Sequence, residues 1–205
     1  MRRLIRWLCL ALVVALPAVA RAALLGDAGI SYSAERTVTV NGSSYSGMVF
    51  HVPGHERHEQ QIQGIAEVVI LDAAAKRGVL IVPMLKSYVA FGFPKLMAEL
   101  DDPSLRRSPV GRETIDGVRT TKYRVDHVSA DGSRAQGFAW VSAQGVLMRI
   151  DGTVTRGAGK PLAIRMELAN LAVGPQDPAL FQVPPGLVQL PTGALQGLLG
   201  ASSPG

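Results

Sequence analysis

The sequence predicts a mainly β protein built on antiparallel sheet, and three observations carry the prediction. Asn41-Gly42, Asp116-Gly117, Asp131-Gly132 and Gln144-Gly145 each separate stretches in which apolar and polar residues alternate. Asn-Gly and Asp-Gly supply the positive φ angles that tight hairpin turns require. The alternation itself has the two-residue period of a strand with one buried face. Helix signals, by contrast, are few.

The second half shows the alternation best. Thr121, Tyr123 and Val125 face one way, with Lys122, Arg124 and Asp126 facing the other. Val146, Met148 and Ile150 alternate with Leu147, Arg149 and Asp151, and Leu162, Ile164, Met166 and Leu168 with Ala163, Arg165 and Glu167. In the first half Met48, Phe50 and Val52 share a face. Val68 to Leu71 and Val79 to Val82 are continuous apolar runs, the pattern of strands covered on both sides or of a buried helix segment, with Val and Ile favouring strand.

Pro94 opens a short helix through Leu100, in which Leu96, Met97 and Leu100 make one apolar stripe. Asp177-Pro178 reads as a cap and first-turn proline for a single turn ending near Phe181. Beyond Pro184-Pro185 the chain is rich in Gly, Pro and small residues, so residues 189–205 are expected to be a disordered tail.

The chain opens with Arg2, Arg3 and Arg6, continues apolar from Trp7 to Leu16, and reaches Pro17 and the small-residue stretch Ala18 to Ala22. That order is expected of a signal peptide, residues 1–22, cleaved after Ala22. The apolar run is well short of the ~20 residues that span a bilayer. Removing it takes four of the 21 Lys and Arg residues and no acid, which leaves 17 against 16. The basic balance of the whole chain is therefore no sign of a nucleic-acid partner. It also takes Cys9, the single cysteine, so the remaining domain has neither disulfide nor thiol chemistry. The length left, residues 23–188 before the tail, suits one domain.

Chemistry-bearing constellations are weak. His55-Glu56-Arg57-His58-Glu59 offers imidazoles and carboxylates, but His55 and His58 point to opposite faces of a strand, so no metal site is expected there; the stretch reads as a solvated edge or convex face. Gly42-Ser43-Ser44-Tyr45-Ser46-Gly47 lacks the centred serine of a nucleophile elbow. No glycine-rich phosphate loop precedes a helix. The reading is of a non-catalytic protein with no cofactor. Arg57 and Arg149 lie beside apolar strand positions; each either meets a lipid headgroup at a cavity mouth or pairs with a neighbouring acid on the solvated face.

A sheet this large exposes more apolar face than one or two short helices can cover. Either it folds over on itself as a barrel or sandwich, or it stays partly open and the face lines a cavity. The strand aromatics Phe50, Tyr123, Phe138 and Trp140 mark the inward face in either case.

Several segments, in order, carry a likeness to a known family. They are Gly47 to Gly54 leading to Arg57-His58-Glu59, Val79 to Pro83 with Lys86-Ser87-Tyr88, and Gly111 to Gly117 with Lys122-Tyr123. Trp140-Val141 with Val146 to Arg149, and Asp177 to Phe181 with Val183 to Gly186, complete the set. Together they resemble the periplasmic lipoprotein-sorting superfamily, whose best-known members are the carrier LolA and the acceptor LolB, and the resemblance covers residues 30–188. It implies an incomplete antiparallel β-barrel, a half-barrel whose concave apolar face is covered by one or two short helices. It further implies a periplasmic protein that binds a lipid, an acyl chain or a lipidated protein, in peripheral contact with membrane. The residues expected at such a cavity or its lid are Phe50, Leu96, Met97, Leu100, Tyr123, Phe138, Trp140, Met148, Ile164 and Met166. The alternative is a protein-interaction or sensory module of the same fold with no lipid ligand.

Overall fold

The computed structural model describes residues 28–62, 64–92, 107–129, 132–157 and 159–191. The expected signal peptide, the Pro94 to Leu100 helix with Leu96, Met97 and Leu100, and the chain from residue 192 lie outside the described residues.

Two meanders form one open sheet. In the first, β1 (Tyr32–Val40), β2 (Ser43–Val52), β3 (His55–Ile62), β4 (Ile65–Asp72), β5 (Arg77–Val82) and β6 (Ser87–Gly92) pair in succession, all antiparallel. In the second, β7 (Arg107–Ile115), β8 (Val118–Val128), β9 (Arg134–Ser142), β10 (Leu147–Thr155) and β11 (Leu162–Val173) do the same. Antiparallel pairing of β1 with β11 joins them. A last strand, β12 (Val188–Leu190), returns parallel to β6 at Ser87 to Val89, so order runs past the expected start of the tail. The sheet has 12 strands, ends on β12 and β7, and is a half-barrel rather than a closed one.

Sequence punctuation sets the hairpins. Asn41 and Gly42 (φ 48° and 87°) and Asp116 and Gly117 (φ 45° and 75°) both take left-handed pairs, the two-residue turn whose twist matches the strands it joins. The Asn41 side chain also accepts from the Ala163 N–H at 3.0 Å, tying the first hairpin to β11.

Register divides the side chains between two faces. Ala34, Arg36 and Val38 on β1 share a side with Val49 and His51 on β2, with Glu56 and His58 on β3, and with Leu71 and Leu80 beyond. The same side continues through Met166 and Ile150 to Ala139, Tyr123 and Val125. The sheet curves towards this side, because glycines remove the Cβ atoms that bending would crowd. A Cβ on Gly47 would overlap the Glu59 carbonyl, and one on Gly137 would overlap the backbone of its cross-strand neighbours Asp151 and Gly152.

The two continuous apolar runs are strands buried on both sides. Leu71, Leu80, Val82 and Val89 are buried on the concave face. On the convex face Val68, Ile70 and Ile81 pack with Val79, Tyr88 and Leu187. The expected turn at Pro178–Phe181 forms as a 3-10 turn, with Asp177 Oδ1 accepting from the Ala179 N–H at 2.9 Å. It sits on the convex side, where Arg57 donates to the Leu180 carbonyl at 2.9 Å and Phe181 tilts against His55. The other described turn, Pro83–Leu85, buries no residue. A separate core cluster holds Tyr32, Val49, Ile115, Trp140, Val146, Met148 and Leu168. Among the described residues no helix is long and apolar enough to cross a membrane.

Candidate functional site: the concave face

The concave face is apolar with two polar interruptions. The first lies on β1 to β3. Arg36 follows Ala34 in the inward phase of β1, and Glu56 and His58 alternate inwards on β3, which is interior, between β2 and β4. This corrects the expectation of a solvated edge or convex face for residues 55–59: His58 is 7% exposed, and only His55, Arg57 and Glu59 face outwards. The opposed orientation of His55 and His58 follows from strand geometry. Among the described residues no group of three or more His, Cys, Asp or Glu could hold a metal ion.

His58 Nε2 lies 3.3 Å from Glu56 Oε2 and 3.5 Å from Arg36 Nη1. A guanidinium only donates, so the ring nitrogen either donates to Glu56 or accepts from Arg36, and the other imidazole nitrogen, Nδ1, is buried without a partner among the described residues. Burial pushes the Glu56 carboxyl upwards, but His58, Arg36 and His51 outweigh it and hold the group at about 2. Burial also lowers the Arg36 guanidinium below its usual value, and Glu56 opposes that shift. His51 completes the region, stacked on Tyr32 at 4.8 Å between ring centroids, with Nδ1 3.0 Å from the Ile30 carbonyl.

The second interruption lies on β7 and β8. Arg107 pairs across from Val125, and Tyr123, Val125 and His127 share the concave side of β8. The Arg107 guanidinium stands 4.6 Å from the centre of the Tyr123 ring. Its Nη1 and the His127 Nε2 are both buried and, among the described residues, without hydrogen-bond partners.

The residues expected at a cavity divide three ways. Tyr123, Ile164 and Met166 face the concave side. Met148 is fully buried in the core cluster, beside a bulge between Leu147 and Arg149. Phe50, Phe138 and Trp140 project to the opposite side: Phe50 pairs with Arg57, Phe138 with Arg124, and Trp140 with Lys122 and Arg149. Aromaticity therefore does not mark the inward face here. On the convex side Lys122 Nζ lies 4.7 Å from the ring centres of both Phe138 and Trp140, Arg149 lies 5.4 Å from Trp140, and the indole N–H donates to Glu113 at 2.8 Å. Lys122 and then Trp140 hold the Glu113 carboxyl below its usual range by hydrogen bonding, and Arg149 does the same for Glu167. Arg57 and Arg149 pair with Glu59 and Glu167 on the convex side, where the Pro178–Phe181 turn largely covers Arg57.

Sequence reading missed Arg36, Arg107 and His127 as inward polar groups. The signal was present for two of them, since Arg36 is in phase with Ala34 and Val38, and His127 with Tyr123 and Val125.

No protein-family model and no curated protein matches the chain. Solved structures do. A chain of the Pseudomonas aeruginosa MucA/MucB complex superposes with a TM-score of 0.52 at 16% identity, covering 82% of this chain and 60% of its own. An uncharacterised conserved protein from Thermus thermophilus superposes with a TM-score of 0.55 at 10% identity, covering 83% and 94%. A LolA superfamily protein from Nitrosomonas europaea matches with a TM-score of 0.41 at 6% identity, covering 80% and 94%. This chain thus spans 60% of the length of the MucA/MucB match. At these identities the first two likenesses show the fold alone: an open, curved antiparallel sheet of the half-barrel kind.

Proposed function

We propose that this protein is a non-catalytic, exported envelope protein that holds a lipid, an acyl chain or a lipidated partner against its concave sheet face. One observation carries the reading. Val38, Tyr123, Ile150, Val154 and Met166 all point to the inside of the curve, yet each is only half-buried. Apolar side chains on the inner wall of an open sheet are driven to cover themselves, and an apolar ligand does so at no cost in unpaired polar groups. Native mass spectrometry of the protein isolated from the cell envelope tests it. A co-purified lipid or uptake of an acyl probe is expected; absence of both overturns the reading. Deleting residues 2–22 should abolish export, and continued export of the deleted form would refute the signal-peptide part.

A second reading, a module that engages another protein, is supported by the likeness to a chain of the MucA/MucB complex. It requires a protein that takes up no acyl probe and forms a stoichiometric complex with a defined envelope partner.

A further inference from the structure

The concave face contains a trough with a polar end. The cross-strand row that starts at Val125 runs through Gly137, Gly152 and Ile164 to Val40, so its second and third positions carry no side chain. One wall is the neighbouring row Tyr123, Ala139, Ile150, Met166 and Val38; the other is His127, Ala135, Val154 and Leu162. Five strands at about 4.8 Å spacing make this trough about 19 Å long. Glycine backbone floors only its middle, on β9 and β10, with Val125, Ile164 and Val40 at the other positions, and its walls are small or aliphatic apart from Tyr123 and His127.

At the β8 end of the trough stand Arg107, opposite Val125, and His127, two residues along. Arg107 makes its described contact with the face of the Tyr123 ring, which orients the guanidinium without neutralising it. Among the described residues Arg107 Nη1 and His127 Nε2 have no hydrogen-bond partner. Buried polar nitrogens without partners are rare in folded proteins, because each leaves a desolvation cost unrecovered. Two of them at one end of an apolar trough match a ligand with anionic oxygens at one end and hydrocarbon behind.

We infer that the concave face binds a single-chain anionic amphiphile, with Arg107 and His127 on its carboxylate or phosphate and the hydrocarbon lying along the Gly137-Gly152 trough. The inference rests on the lipid-binding reading above and adds a headgroup charge, a direction and two named residues to it. A charge-assisted hydrogen bond formed away from water is strong enough to discriminate sharply against a neutral headgroup.

The test measures binding of dodecanoate, dodecyl phosphate and dodecanol to the full mature chain and to Arg107→Gln, Arg107→Lys and His127→Leu. The wild type should bind an anionic amphiphile at least about tenfold more tightly than dodecanol. Arg107→Gln should remove that preference while leaving dodecanol binding in place, His127→Leu should reduce it, and Arg107→Lys should restore most of it. Because the preference is a ratio within each variant, a loss of folded fraction does not mimic the effect. The relative affinity of the carboxylate and phosphate forms identifies which headgroup the site suits. Equal binding of dodecanol and both anions by the wild type, or a preference that survives Arg107→Gln, overturns the headgroup assignment and leaves the lipid reading standing. Failure of all three amphiphiles to bind overturns both.

Discussion

The two meanders of this sheet treat charge in opposite ways. Residues 32–92 hold five Lys and Arg against five Asp and Glu, and they bury part of that set: Arg36, Glu56 and His58 meet on the concave face with His51 nearby. Residues 107–173 hold ten Lys and Arg against six acids and keep most of them on the convex side. There Lys122 and Arg149 cap Trp140, while Glu113 accepts from Lys122 and the indole and Glu167 accepts from Arg149. A buried polar cluster costs desolvation and recovers it only through good internal partners. A partly exposed cation laid over an aromatic face keeps part of its hydration, so its net worth is small and its removal mild. The same sheet therefore has one half whose buried polar groups are structurally costly to disturb and another whose convex polar groups are tolerant.

The largest expected effect breaks the frame that both halves share. Gly47→Val places a side chain where even a Cβ overlaps the Glu59 carbonyl, so the cooperative urea transition should be lost. Next, Met148→Ala empties a fully buried position and should cost about 3 kcal/mol, read as a lower denaturation midpoint with an unchanged slope. Removing the first half's carboxylate comes third. Glu56→Gln should destabilise the protein by about 2 kcal/mol at neutral pH, allowing for a side chain that is 33% exposed. Since the folded-state carboxyl sits at about 2, below its unfolded value, its contribution is complete above the ordinary carboxylate range and disappears as pH falls from there towards 2. Stability curves of wild type and variant should accordingly converge in acid. A constant gap down to pH 2 would show that Glu56 acts by packing and not by charge. The smallest effect belongs to the second half: Lys122→Met should cost under about 1 kcal/mol and less still in high salt. A loss as large as that of Glu56→Gln would erase the contrast between the halves.

Much of this architecture was legible in the residues. The Asn41-Gly42 and Asp116-Gly117 turns, the alternation along β8 and β11, and the double burial of β4 and β5 all follow from local φ preferences and period-two patterning. Such features need only a few consecutive residues to specify them. The concave site was less legible. Phe138 and Trp140 looked inward by size, yet they project to the convex side, where Lys122, Arg124 and Arg149 lie over their rings and Trp140 is buried in the cluster with Ile115 and Val146. His58 looked solvated by its neighbours, yet it is buried because β3 is flanked on both sides by strands whose facing residues no local window includes.

The amino-acid order alone determined where the chain turns, which residues share a strand face, and that sheet would outnumber helix, since each depends on neighbouring backbone. Only the tertiary structure decided that β1 pairs with β11, that four inward glycines sit where neighbouring strands crowd, and that Arg107 and His127 share one end of a row with glycine at its middle. Those outcomes join residues up to 141 positions apart, as Tyr32 and Val173 are, and no local propensity or periodicity can encode a pairing between strands that meet only after the sheet has assembled.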